Sequence, residues 1–305
     1  FPYTTLFRSG AYAAVTAITN PGDVILVPTP TFSIYMADAA IAGGTAVEVD
    51  TSKTNFRLTP ELIQSYLDEY GDRVKGLVVV NPTNPTGIAM NQDELDAIAD
   101  VVRDKPIFVI ADEIYDQLAY TEGADQYPSI VKSLPEQTIL LNGFSKSYAM
   151  TGWRVGYAVA PSNVAAALGT YLGQVSGNMA AVSQYAALTA LTDPRGKEEV
   201  ERMRQAYEER LNTITSLIND LPGVSVTKGA GAFYLFPDVS EAVELTGFQS
   251  TDEFVNGVLE EAHVSIVPGK AFGLDGHVRL SYATDLATLQ EAIKRIGDFI
   301  KRHQK

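Results

Sequence analysis

The sequence predicts an α/β fold: a mainly parallel sheet flanked by helices, followed by a smaller C-terminal α+β portion. Two observations carry this expectation. Continuous apolar runs such as VILVPTP (24–30) and VKGLVVV (74–80) alternate with helix-patterned segments, and such runs belong to parallel strands buried on both faces. Beyond about residue 200 the alternation gives way to short strands and two further helices, the mark of an α+β unit. We place the large domain at 10–200 and the small one at 201–305.

Each element has its own signal. GAYAAVTAIT (10–19) is helix-patterned and NPGD (20–23) is a turn. After VILVPTP come a helix near 33–42 and a strand, TAVEVD (45–50). Thr59 caps a helix over 59–70, with Pro60 first and Glu61 next. VKGLVVV runs directly into NPTNPTG (81–87); a helix (91–105) and the strand IFVIADEIY (107–115) follow. TILL (138–141) and VGYAVA (155–160) complete the strand series. Residues 162–217 read as helical, with one long connecting helix over 198–218. The small domain is expected to hold strands at 224–227, 232–237, 264–267 and 278–283, and a helix near 251–262. In its last helix Leu289, Ile293, Ile296 and Ile300 share one face, which is packing. The opening nonapeptide FPYTTLFRS has no helix or strand period and resembles translated sequencing-adapter sequence; it is set aside as an expected artefact.

Composition narrows the function. The 305 residues are 46% hydrophobic and 20% charged, with net charge −14. That surplus of acid argues against a nucleic-acid partner, which needs clustered Lys and Arg. No apolar run reaches the ~18 residues of a membrane span, and no secretory pattern is evident. The absence of cysteine excludes thiol nucleophiles and thiolate metal sites and suits a reducing cytoplasm. His263, His277 and His303 lie too far apart for a metal spacing.

The chemistry centres on NGFSKSYAMTGWRVGY (142–157). Lys146 sits between two runs that read as buried strands, where desolvation favours the neutral, nucleophilic amine. Three polar clusters fall at the carboxyl ends of strands, where open α/β sheets bind ligands: Asn81–Gly87, Asp112–Tyr115 and Asn142–Lys146. Singly, each has a plain reading: a proline-fixed turn, a helix cap, a paired lysine. Together they bring an amine, a carboxylate, a phenol and an amide to one crevice. A carbonyl cofactor with a ring nitrogen and a phosphate, pyridoxal phosphate, asks for such a set. Lys270 in VPGKAFG lacks the pattern of a phosphate loop, and Gly229 and Gly231 read as a turn before a strand.

In order along the chain, NPTNPTG, ADEIY, FSKSYAMTGWRVG and VRLSYA resemble the motifs of fold-type I pyridoxal-phosphate enzymes, in the aspartate/aromatic branch of the class I/II aminotransferases. The resemblance implies Lys146 as Schiff-base lysine and general acid/base, with Ser145 beside it. It implies Asp112 at the ring nitrogen, Tyr115 and Asn84 at the ring oxygen, and Phe32 on the ring face. Arg154 would hold the phosphate over a helix start at Gly10, Ala11 and Tyr12. Arg279 would grip the substrate α-carboxylate. The implied reaction moves an amino group from an L-amino acid to a 2-oxo acid by a ping-pong cycle, in a homodimer. Two departures stand out. Gly143 occupies a position where many relatives carry a hydroxyl, and the family's segment upstream of Gly10 is replaced by the nonapeptide, so the chain reads as a fragment. A carbon–sulfur lyase on the same cofactor, or the effector domain of a transcriptional regulator, are the alternatives.

Overall fold

The computed structural model describes residues 2–5, 7–120 and 127–304. A seven-stranded sheet organises the larger part. Its strands are β1 (Pro2–Thr5), β2 (Val24–Thr29), β3 (Thr45–Asp50), β4 (Val74–Val80), β5 (Phe108–Asp112), β6 (Thr138–Gly143) and β7 (Gly156–Val159), in the spatial order β1-β7-β6-β5-β4-β2-β3. β2 to β6 are mutually parallel, as expected. β7 is antiparallel to β6 and β1 antiparallel to β7. The chain moves outward from β2 to β3 and then returns to the other side of β2 as β4. That reversal opens a crevice at the carboxyl ends of β2 and β4.

Side chains of the central strands alternate between two cores. Val78, Val80 and Ile110 join the core under α1 (Phe7–Ile18), α2 (Ile34–Ile41) and α5 (Ser162–Val175). Leu77, Val79, Val109 and Ala111 join the core under α3 (Pro60–Tyr70) and α4 (Gln92–Val102). Both faces being covered, the continuous apolar runs follow. Thr59 caps α3 as expected, its side chain accepting from the Leu62 amide.

After α6 (Ala181–Thr192), α7 (Pro194–Asn219) starts four residues earlier than expected, because Asp193 caps it and Pro194 opens it. The far end of α7 contributes Leu211, Ile214 and Ile218 to a third core with α8 (Ser240–Thr246), α9 (Thr251–Gly257) and α10 (Leu286–His303). Leu289, Ile293, Ile296 and Ile300 of α10 are buried there, as their spacing predicts.

Three differences from the expectation stand out. Residues 224–227 make no strand; Ser225 forms only an isolated pairing with Asp238. The other small strands shrink to β8 (Tyr234–Leu235), β9 (Val267–Pro268) and β10 (Val278–Ser281), because Ala232 takes a left-handed backbone and Pro237 and Pro268 lack the N–H a ladder needs. Within the opening nonapeptide, residues 2–5 and 7–9 are described. Pro2–Thr5 pair with β7, whose outer edge would otherwise leave backbone groups unpaired, and α1 already begins at Phe7. No helix among the described residues is long and apolar enough to cross a membrane.

Candidate active site

The three polar clusters converge where β4, β5 and β6 end. Asp112 is the last residue of β5 and stands opposite Val80 and Leu141 in the ladders. It is buried, and Tyr35 donates its hydroxyl to Oδ2 at 2.7 Å while the Ile114 amide donates to Oδ1 at 3.2 Å. Burial raises the carboxyl to about 6, against the lowering pull of the Tyr35 bond, the Ile114 amide and the Lys146 charge. A carboxylate held this way calls for a cation beside it.

Lys146 lies three residues past β6, half-buried. Its Nζ is 5.4 Å from the centre of the Phe233 ring and 5.9 Å from that of Tyr115. Desolvation and the charges of Arg279 and Arg154 push its amine down from the ordinary lysine value, against Asp112. The site therefore shifts the amine towards its nucleophilic form.

Tyr115 is buried, donates to the Tyr234 hydroxyl at 3.2 Å, and meets the Phe233 and Tyr234 rings edge-on. Burial raises its hydroxyl well above the usual phenol value. Arg279, on β10, donates from Nη1 to Asn84 Oδ1 at 3.0 Å. Its guanidinium lies over the Tyr234 and Phe272 rings, 4.5 and 4.7 Å from their centres. Nε is buried with no hydrogen-bond partner among the described residues. A guanidinium fixed on two sides, with a donor to spare, is preorganised for a carboxylate.

Close backbone packing sets this junction. Gly87 has φ +68, and a Cβ there would come within 2.7 Å of the Tyr234 carbonyl. A Cβ on Gly231 would lie 2.4 Å from Pro82 Cγ. Gly229 and Gly231, expected only as a turn, thus let the small part close on NPTNPTG. At Gly143, a side chain would meet Gly156 Cα and the Val155 carbonyl at 3.0 Å, across the antiparallel β6–β7 pair.

Other expected residues fall differently. Phe32 is half-buried, three residues before Tyr35, with the Arg8 guanidinium 5.9 Å from its ring centre. Ser145 is half-buried beside Lys146. Arg154 has a left-handed backbone and is exposed, its Nη1 donating to the Thr151 carbonyl at 2.9 Å. Gly10, Ala11 and Tyr12 were expected at a helix start. Because α1 begins at Phe7, only Gly10 falls among the first four residues, whose amides have no helical partner. Ala11 lies buried in the core and Tyr12 meets Tyr171 edge-on. Lys270 lies exposed in a short turn.

The sequence reading missed Tyr35, Phe233, Tyr234 and Phe272. Tyr35 reaches the site only through a bond to Asp112 far along the chain, and no local signal marks it. The other three come from the small part, and only the packing of the two parts shows that they reach the site.

Residues 4–296 match the family model of aminotransferase class I and II. An aspartate aminotransferase of Bacillus subtilis is 40% identical over 97% of this chain and 75% of its own length. An asparagine–oxo-acid transaminase of Streptococcus mutans is 41% identical over 95% of this chain and 73% of its own. Among solved structures, the aromatic aminotransferase of Pyrococcus horikoshii superposes with TM-score 0.90 at 35% identity, covering 99% of this chain and 79% of that one. These likenesses favour transamination over the lyase and regulator alternatives. The match over residues 4–296, with likeness to these enzymes over nearly the whole chain, shows that the chain belongs to the class I and II aminotransferase family and is a pyridoxal phosphate-dependent transaminase.

Proposed function

We propose that the amino donor is L-aspartate and that Lys146, Asp112, Tyr115, Asn84, Arg154 and Arg279 are the residues that hold cofactor and substrate. The donor assignment rests on the aspartate aminotransferases of Bacillus subtilis and Geobacillus stearothermophilus, 40% and 39% identical to this chain. The site assignment rests on the Lys146–Asp112–Arg279 arrangement.

The residues fit the cofactor. The raised Asp112 carboxyl would be stabilised as the anion by a protonated ring nitrogen. Bound pyridoxal phosphate supplies an aldehyde carbon for the amino group and a ring that draws electrons from the substrate α-carbon. Lys146, its amine shifted towards the neutral form, would take the α-proton and deliver it to the cofactor's aldehyde carbon. Arg279 fixes the α-carboxylate, and Asn84 keeps the guanidinium from turning away. Asn84 would donate to the ring oxygen from Nδ2, and Tyr115 would do so by turning its hydroxyl from Tyr234. Phe32 would face the cofactor ring, and Arg154 and Ser145 would meet the phosphate with the Gly10 end of α1. Donor and acceptor share one pocket, so the donor's 2-oxo acid leaves before the acceptor enters.

The protein acts as a homodimer in a reducing cytoplasm. Family membership supports the dimer, as does an apolar cavity of about 600 Å³ that Phe144 and Val155 form with Ala181, Tyr185, Leu188 and Leu191 of α6. Tyr185 and Leu191 are 71% and 60% exposed there, more than a solvated helix face carries without cover. A domain boundary near residue 200, inside α7, is supported by the change of core along that helix.

A panel of L-amino acids with 2-oxoglutarate, followed by release of each 2-oxo acid, tests the donor. Aspartate should lead. Asparagine or an aromatic donor leading by tenfold or more would overturn it. Light scattering tests the dimer, and a monomer mass would refute it.

A further inference from the structure

One carboxylate outside the assigned set gathers both sides of the lysine turn. Asp116 follows Tyr115, in the turn after β5. Its Oδ2 accepts from Asn142 Nδ2 at 3.0 Å, and its Oδ1 from Ser147 Oγ at 3.2 Å. Asn142 is four residues before Lys146 and Ser147 is the residue after it; both are buried. The Gln117 amide and Gln117 Nε2 also donate to this carboxylate, at 2.7 and 3.1 Å. Its own amide donates to the Glu113 carbonyl, tying it to the strand end that carries Asp112.

The lysine turn has few other ties. Ala149 takes a left-handed backbone, its amide donating to the Lys146 carbonyl, and the Met150 amide reaches the Phe144 carbonyl. These bonds shape the loop but do not join it to the strand end of Asp112 and Tyr115. Asp116 does, and each of its oxygens accepts from an N–H group, Oδ1 from the Gln117 amide and Oδ2 from Asn142 Nδ2, so an amide in its place sets an NH2 against one of them.

We infer that Asp116 is a positioning residue that sets Lys146 against Asp112 and Tyr115 by clamping the lysine turn from Asn142 to Ser147. The inference rests on Lys146 being the lysine that carries the cofactor. It acts through geometry, and a misplacement of about 1 Å at a reacting amine costs on the order of a hundredfold in rate.

The test uses the full chain without cofactor, with benzaldehyde as probe and cyanoborohydride to fix the adduct, peptides being quantified by mass. In the native protein Lys146 should be trapped faster than exposed Lys270. In Asp116→Asn, trapping at Lys146 should slow about tenfold, with Lys270 unchanged. In the holoenzyme the same variant should lose about tenfold in kcat with the donor KM within about twofold, since Arg279 is untouched. Should Asp116→Asn fail to fold, Ser147→Ala and Asn142→Ala, each removing one donor, carry the same readout with smaller losses. Native trapping at Lys146 with no change in the variants overturns the role of Asp116 alone. No preferential trapping at Lys146 in the native protein overturns the lysine assignment and the inference with it.

Discussion

Removing one buried hydroxyl, in Tyr35→Phe, probes how Asp112 is held. Tyr35 is fully buried and donates to Asp112 Oδ2 at 2.7 Å. A hydrogen bond to an ionised group contributes about 1.5–3 kcal/mol, and one between neutral groups about 0.5–1.5. Which applies depends on pH. Burial raises Asp112 from its ordinary 3.8 to about 6, so its native form is the neutral acid well below 6 and the carboxylate above. Because the folded value is raised, the stability Asp112 contributes is whole below about 3.8 and is lost as pH rises through about 6. The Tyr35 bond offsets part of that loss by stabilising the anion. Phenylalanine leaves the anion one donor short, so the variant's loss should be about 1.5–3 kcal/mol at pH 8 and should shrink to about 1 kcal/mol at pH 5. Urea unfolding of the cofactor-free protein at the two pH values reads the difference. A loss equal at both pH values would show that Tyr35 does not act on the Asp112 charge.

Other perturbations separate the parts of the site. Burial, against a Ser129 bond, lifts Glu113 from 4.5 to about 8; its contribution is whole below pH 4.5 and lost as pH rises through 8. Glu113→Gln should therefore flatten the fall in melting temperature between pH 6 and 9, and an unchanged slope would contradict this. Arg279→Lys keeps the charge but loses the planar fork and its stacking on Tyr234 and Phe272. It should cost about 10–100-fold in kcat/KM, chiefly through KM in steady-state kinetics. Gly231→Ala places a methyl against the rigid Pro82 ring and should cost about 1–3 kcal/mol in unfolding measurements. A neutral result would mean that the NPTNPTG turn is free to move.

What the sequence made legible followed from residues whose signal is local. The bounds of β3, α3 and β4 match their patterns to the residue, because alternation, a Thr–Pro start and a run buried on both faces are each self-contained. Lys146, Asp112, Asn84 and Arg279 were readable because each sits in a short motif at a strand end. Tyr35 was not, because its role is a bond to a residue 77 positions away. Phe233 and Tyr234 looked like ordinary strand aromatics until the Gly87–Gly231 contact brought Phe233 to Lys146 and Tyr234 to Arg279. The small strands were overread, since their prolines were weighed less than their apolar neighbours. Pro2–Thr5 have no strand pattern, and only the free edge of β7 accounts for their pairing.

The account stands on a single amine. Incubating the protein with pyridoxal phosphate, reducing with borohydride and mapping the peptides should place the cofactor's mass on the segment containing Lys146, and Lys146→Ala should abolish it. Attachment at Lys270 or elsewhere, or undiminished labelling of the variant, would contradict the assignment.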